Sequence, residues 1–144
     1  MLIGEYRHNL DSKKRLAIPA KLRKALGERA VLTRGLDACL FLYPDTEWSK
    51  LVEKVSLLPM GTSSTRSFAR FILSGAVEVE TDHLGRILIP DFLKTYAGLQ
   101  KQVVIVGVHP RVELWDQTKW DRFKQKIEEN ADELGEKLGQ LGAI

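Results

Sequence analysis

The sequence holds a single cysteine, Cys39, in 144 residues, so no internal disulfide can form. Its place in the apolar run CLFLYP argues for a buried thiol in a reducing compartment rather than a nucleophile. Long hydrophobic runs are also missing, and no window approaches the ~18 apolar residues of a membrane span. The N-terminal stretch MLIGEYRHNLDSKKR has no uninterrupted apolar segment of the signal-peptide kind, so the expected protein is soluble, not exported and cytoplasmic. Three histidines, His8, His83 and His109, lie far apart with no Cys or carboxylate partner at metal-ligand spacing, and each reads as a surface or turn residue. There is no P-loop, no G-x-G-x-x-G and no G-x-S-x-G. No enzymatic activity, metal or cofactor is expected.

What is present is a good core composition and an uneven charge. With 44% hydrophobic residues the chain can bury a sizeable core as one compact domain over residues 1–144. Residues 1–36 carry nine Lys and Arg against three Asp and Glu, whereas the remainder carries 13 against 16. This places a basic face, suited to a polyanion, on a neutral to acidic body.

The chain also repeats itself. DSKKRLAIP starts at Asp11 and DHLGRILIP at Asp82, both fitting Asp-x-x-x-Arg-apolar-x-Ile-Pro. AKLRKALG and DFLKTYAG follow, each a short helix opened after proline and stopped at Gly27 or Gly98. One inserted residue later, AVLTRG matches QVVIVG, LFLYP matches VELWD, and TEWSKL matches TKWDRF. Repeats over 1–55 and 77–128 are thus expected, each with strand, tight turn, strand, short helix, two strands, then an amphipathic helix with Thr46 or Thr118 as candidate cap.

Neither half has enough strands to close a core. Pairing about a pseudo-twofold axis, with hairpins interleaved into one small barrel, would remove most strand edges. Residues 56–76 form the connector, with a helix expected to bury Phe68, Phe71 and Ile72. The tail, 129–144, has leucines at 134, 138 and 141 but glycines at 135, 139 and 142, which predicts at best a weak helix, or a docking arm. Trp48, Trp115 and Trp120 fall at repeat-equivalent or helix-face positions and read as core rather than as a base-stacking platform.

Within the motif, Asp11 and Asp82 sit where a strand ends and can accept backbone N–H groups two or more residues on. Arg15 and Arg86 stand across the turn, within reach of the same carboxylate in a fork geometry. Gly85 supplies a left-handed conformation that Lys14 must supply in the first copy, which predicts a strained or differently shaped first turn. An Asp–Arg pair can simply staple a turn. Two copies in a basic context favour a two-pronged surface, with Arg reaching a phosphate or the O6/N7 edge of guanine. Lys13, Lys14, Arg7, Lys21, Arg23 and Lys24 would add phosphate attraction. Asp82 and His83, neighbours at a turn, do not make a catalytic pair.

These residues, DSKKR…IP and DHLGR…IP with the LFLYP…EW and VELWD…W ends of the halves, closely resemble the MraZ family, encoded at the head of the bacterial division and cell-wall gene cluster. The resemblance runs to about residue 128. It implies an α+β, mainly β fold of the AbrB and MazE type, a swapped-hairpin barrel with flanking helices and both halves in one chain. It further implies ring-shaped homo-oligomers, association with the nucleoid, and binding of double-stranded DNA at repeated boxes in the promoter of the family's own operon. The family's DNA-contacting motif falls on Asp11, Lys13 and Arg15, and on Asp82, Gly85 and Arg86; Lys14 and His83 complete the two turns. Lys14 departs from the glycine usual in the family. A non-specific nucleoid architectural protein and an antitoxin-like module of the same fold are the alternatives.

Overall fold

The computed structural model describes all residues 1–144. The first half comprises β1 (Leu2–Asn9), β2 (Arg15–Ala17), α1 (Ala20–Leu26), β3 (Arg29–Arg34), β4 (Leu40–Pro44) and α2 (Asp45–Ser56). After α3 (Ser63–Ser74) the same order returns as β5 (Val77–Glu80), β6 (Arg86–Leu88), α4 (Asp91–Ala97), β7 (Gln102–His109), β8 (Val112–Asp116) and α5 (Gln117–Glu129). The chain ends in α6 (Ala131–Gln140). No helix is long and apolar enough to cross a membrane.

The halves exchange strands. One antiparallel sheet runs β1-β7-β8-β4-β3-β5, and β2 pairs with β6 in a separate two-stranded ribbon. β1 of the first half therefore lies on β7 of the second, and β5 of the second lies on β3 of the first. The order reads the same from either end once the halves are interchanged, as an internal twofold requires. The ladder is nevertheless open: β1 and β5 are its edges and do not pair with each other. Each edge strand runs into an aspartate turn that diverts the chain into the β2/β6 ribbon, so the expected closure into a barrel is absent from the hydrogen-bond ladder.

The core follows from alternation in the strands and from the leucines of the short helices. Leu16, Leu22, Leu32, Leu40, Leu42, Ile89, Leu93, Ile105 and Leu114 are fully buried in one cluster built from both halves. Burying each such side chain contributes about 1.5–3 kcal/mol. Neither half could assemble this cluster alone. A second cluster on the opposite face gathers Phe41, Tyr43, Ile72, Val104, Trp115 and Trp120. The buried Cys39 belongs to it, and burial pushes its thiol pKa well above the usual range. The connector helix α3 buries Ile72, with Phe68 and Phe71 half-buried beside it. It is tied down by the hydroxyl of Thr33, fully buried, which donates to the Ile72 carbonyl at 2.6 Å.

Two local expectations need correction. Thr46 and Thr118 are not caps: α2 begins after Pro44, and α5 is capped by Asp116, whose carboxylate accepts the Lys119 N–H at 3.3 Å. The tail is a well-formed helix despite its glycines. Asp132 and Glu133 sit in its first turn and Lys137 in its last, favourable at the two ends of the helix dipole. Gly142, at φ 78°, does not break the helix but finishes it: its N–H reaches the Gly139 carbonyl and that of Ala143 the Leu138 carbonyl. The expected one-residue insertion in the second repeat is Leu99. Gly98 is left-handed, the Leu99 N–H returns to Lys94 O at 3.0 Å, and its side chain is buried. Gly27 closes the equivalent helix with a different backbone shape and no such residue.

Candidate functional site

The two motifs build the same turn. Asp11 Oδ1 accepts the N–H groups of Lys13 and Arg15 at 2.9 and 2.8 Å, and Oδ2 accepts Arg15 Nε at 2.7 Å. Asp82 repeats this with Leu84 and Arg86 at 2.9 Å each, and Arg86 Nε at 2.8 Å. The Asp11 N–H donates to Arg15 O at 3.0 Å and the Lys14 N–H to Asp11 O, with Asp82, Gly85 and Arg86 doing the same. Backbone N–H groups, Arg15's foremost, and then the guanidinium hold the Asp11 carboxyl below its usual pKa; Arg86 acts likewise on Asp82.

Lys14 adopts φ 61° and Gly85 φ 75°, so the first turn is not differently shaped. It makes the glycine conformation with a lysine, at a cost of about 1–2 kcal/mol for an L-residue. The reason lies in the other half. The Ile89 N–H donates to Lys14 O at 2.8 Å, and the Ile18 N–H to Gly85 O at 3.0 Å. The left-handed residue aims its carbonyl across the internal axis, and each turn thereby anchors the strand that leaves the other.

This cross-tie, with the β2/β6 register Arg15↔Leu88 and Ala17↔Arg86, sets the two turns side by side. Arg86 Nη1 lies 3.8 Å from Asp11 Oδ2, so the second arginine meets the first aspartate. Each guanidinium uses Nε on its own aspartate instead of the expected two-pronged fork. The outer nitrogens of Arg15 stay available to an acceptor, on a side chain about one-third exposed. Chemically, the site offers two pre-oriented guanidinium edges on one face, able to meet phosphate or the acceptor edge of a base.

The remaining predicted residues divide. Lys13 and His83 are exposed at the turn tips, and Lys14 pairs with Asp91. Lys21 and Lys24 are exposed on α1. Arg7 is committed elsewhere, with Nη2 2.8 Å from Asp121 and 3.1 Å from Glu5. Arg23 Nη1 donates to Ile18 O at 3.0 Å and packs against Gly85. His8 is structural: its Nδ1 donates to the Ala17 carbonyl at 2.7 Å. No group of three or more His, Cys, Asp or Glu is arranged to hold a metal ion. Sequence reasoning missed Lys94 and Lys101, which belong to the second repeat but line the groove beside the first turn. Only strand exchange puts them there.

The same doubling appears in comparison with known proteins. The family model described as "MraZ protein, putative antitoxin-like" matches twice, over residues 1–71 and 72–140, one match for each turn. The chain belongs to the MraZ family. It is 52% identical over 138 residues to a protein of Natranaerobius thermophilus called transcriptional regulator MraZ, covering 96% of each chain. It is 50% identical over 142 residues to the protein of the same name from Halothermothrix orenii, covering 99% of each. The Acetivibrio thermocellus protein of that name is 49% identical over 142 residues, again with 99% coverage. As an MraZ chain it carries both arginine turns intact and Lys14 in left-handed backbone.

Proposed function

We propose that this protein is a sequence-specific DNA-binding regulator of transcription, acting in the cytoplasm at the nucleoid, and that the paired turns are its DNA-reading surface. The observation that carries this reading is the presence of two aspartate-held arginines in matched geometry, cross-tied on one face. An arginine fixed through Nε is oriented before DNA arrives, which lowers the ordering cost of the contact. Arg15 and Arg86 read base edges or phosphates, Asp11 and Asp82 hold them, and Lys13, Lys14, His83 and Gly85 shape the turn tips against the backbone.

One subunit is a modest reader. Each good base contact discriminates by about 1–3 kcal/mol, so two give about 2–6 kcal/mol. A ring-shaped homo-oligomer presenting one pair of turns per subunit to repeated promoter boxes multiplies this through effective concentration. The names of the relatives, transcriptional regulator, support this reading, and the family resemblance supports boxes upstream of the chain's own gene in a division and cell-wall operon.

The test is the affinity of wild type, Arg15→Ala and Arg86→Ala for a labelled fragment from upstream of the gene and for its scrambled counterpart, at one near-physiological salt concentration. The expected result is a wild-type preference lost in either folded variant. Equal binding of both fragments by all three proteins would instead indicate a non-specific architectural protein, since the phosphate contribution is common to both DNAs.

A further inference from the structure

The two turns match in geometry but not in surroundings. Beside the first lies a groove of about 620 Å³ whose wall includes Asn9, Ser12, Lys14, Lys94, Gln100 and Lys101. Its one carboxylate, Asp11, is occupied by Arg15. Lys94 and Lys101 take part in none of the ion pairs of the chain. They are held in place by backbone: the Leu10 N–H donates to Lys101 O at 2.7 Å, and the Leu99 N–H to Lys94 O at 3.0 Å.

At the positions related by the internal repeat the two amides become carboxylates and the two lysines become arginines. Asn9 becomes Glu80, Gln100 becomes Glu28, Lys101 becomes Arg29 and Lys94 becomes Arg23. The corresponding groove is lined by Glu28, Arg29, Glu80 and Thr81, and its Arg29 pairs with Glu80 at 3.8 Å. Arg23 is turned inward onto the Ile18 carbonyl. One flank thus offers two uncommitted ammonium groups, Lys94 and Lys101, beside a Lys14 paired with Asp91, and the other offers two carboxylates to one engaged arginine.

Resting on the DNA-binding reading above, we propose that the groove of Lys94 and Lys101 is a phosphate-anchoring site of the DNA surface, and that the Glu28/Glu80 flank turns the duplex backbone away. A twofold pair of identical turns would accept a duplex in either direction. The opposite charge of the flanks removes that degeneracy, so each subunit engages DNA with fixed polarity, its backbone seated at the first turn.

The experiment measures binding of the upstream duplex over a range of salt concentrations for wild type, for the Lys94→Ala/Lys101→Ala variant and for the Glu28→Gln/Glu80→Gln variant, each checked by circular dichroism. Loss of two phosphate contacts should reduce the slope of log affinity against log salt by about 1.8. The glutamine variant should keep the wild-type slope and bind more tightly. A lysine variant with the wild-type slope, or a glutamine variant that loses affinity, overturns the assignment. Absence of salt-dependent binding by the wild type would overturn the DNA-binding reading itself. For polarity, a DNA-cleaving iron chelate is tethered at Leu84→Cys on the second turn, Cys39 being buried. Cutting at one end of each box is expected, and equal cutting at both ends would refute fixed orientation.

Discussion

Arg86 Nη1 stands 3.8 Å from Asp11 Oδ2 while Arg86 Nε is 2.8 Å from Asp82, so one guanidinium joins the two turns. Arg15 contacts only its own aspartate, and its side chain is 33% exposed against 22% for Arg86. The second arginine therefore carries more of the structure of the shared face. Arg86→Ala should lower the melting temperature more than Arg15→Ala, while both impair DNA preference. Equal melting temperatures would show that the Arg86–Asp11 approach contributes nothing.

Acid should loosen this face in a defined direction. Asp11 and Asp82 have pKa values lowered from the usual 3.8, so their contribution to stability is fully present above that pH and is lost as the pH falls through the lowered values. Urea midpoints followed downward from pH 5 should fall below about pH 4. An Asp11→Asn/Asp82→Asn protein should lose less stability over that acid range than wild type does. Parallel pH profiles would place the acid sensitivity on other carboxylates.

The paired left-handed positions predict changes of opposite sign. Gly85→Ala imposes a Cβ at φ 75° and should destabilise by about 1–2 kcal/mol; Arg23, whose Nη1 occupies that space, must also move. Lys14→Gly relieves the same strain at φ 61° and loses the surface pair with Asp91, worth at most about 1 kcal/mol. Its net effect should be a small stabilisation, read from guanidinium denaturation. A destabilised Lys14→Gly protein would mean that lysine fits this turn without strain.

Thr33 offers a test of how the connector is held. Its buried hydroxyl is bonded to the Ile72 carbonyl on α3. Thr33→Val keeps the shape and leaves that carbonyl without this donor, so it should cost about 1–3 kcal/mol in chemical unfolding. Hydrogen exchange should report the loss first in α3. A neutral substitution would show that packing of Ile72 alone fixes the helix.

How far the sequence reaches is clear from particular residues. Pro19 and Pro90 open the short helices and Gly27 and Gly98 stop them, because φ restriction and its absence are properties of single residues. The turns were legible for the same reason, since Asp11 and Asp82 bond to N–H groups within four residues in the chain. The cap of α5 is not legible locally because Asp116 reads as the end of a strand, and only its position after β8 aims it at the Lys119 N–H. The glycines of the tail predict a weaker helix than the one that forms, because a glycine's helix cost is legible in sequence while its role as a terminator, here Gly142, depends on the backbone it adopts.

The sequence by itself determined the two turns, the alternating core strands and the order of elements, all of which depend on neighbours a few residues apart. The tertiary structure decided everything that crosses the internal axis. Which strand covers β1, why Lys14 must be left-handed, the meeting of Arg86 with Asp11, and the arrival of Lys94 and Lys101 beside the first turn depend on pairings between distant segments. Those pairings are selected by burial of one shared core that neither half can close, and local spacing along a chain does not specify which distant edges will meet.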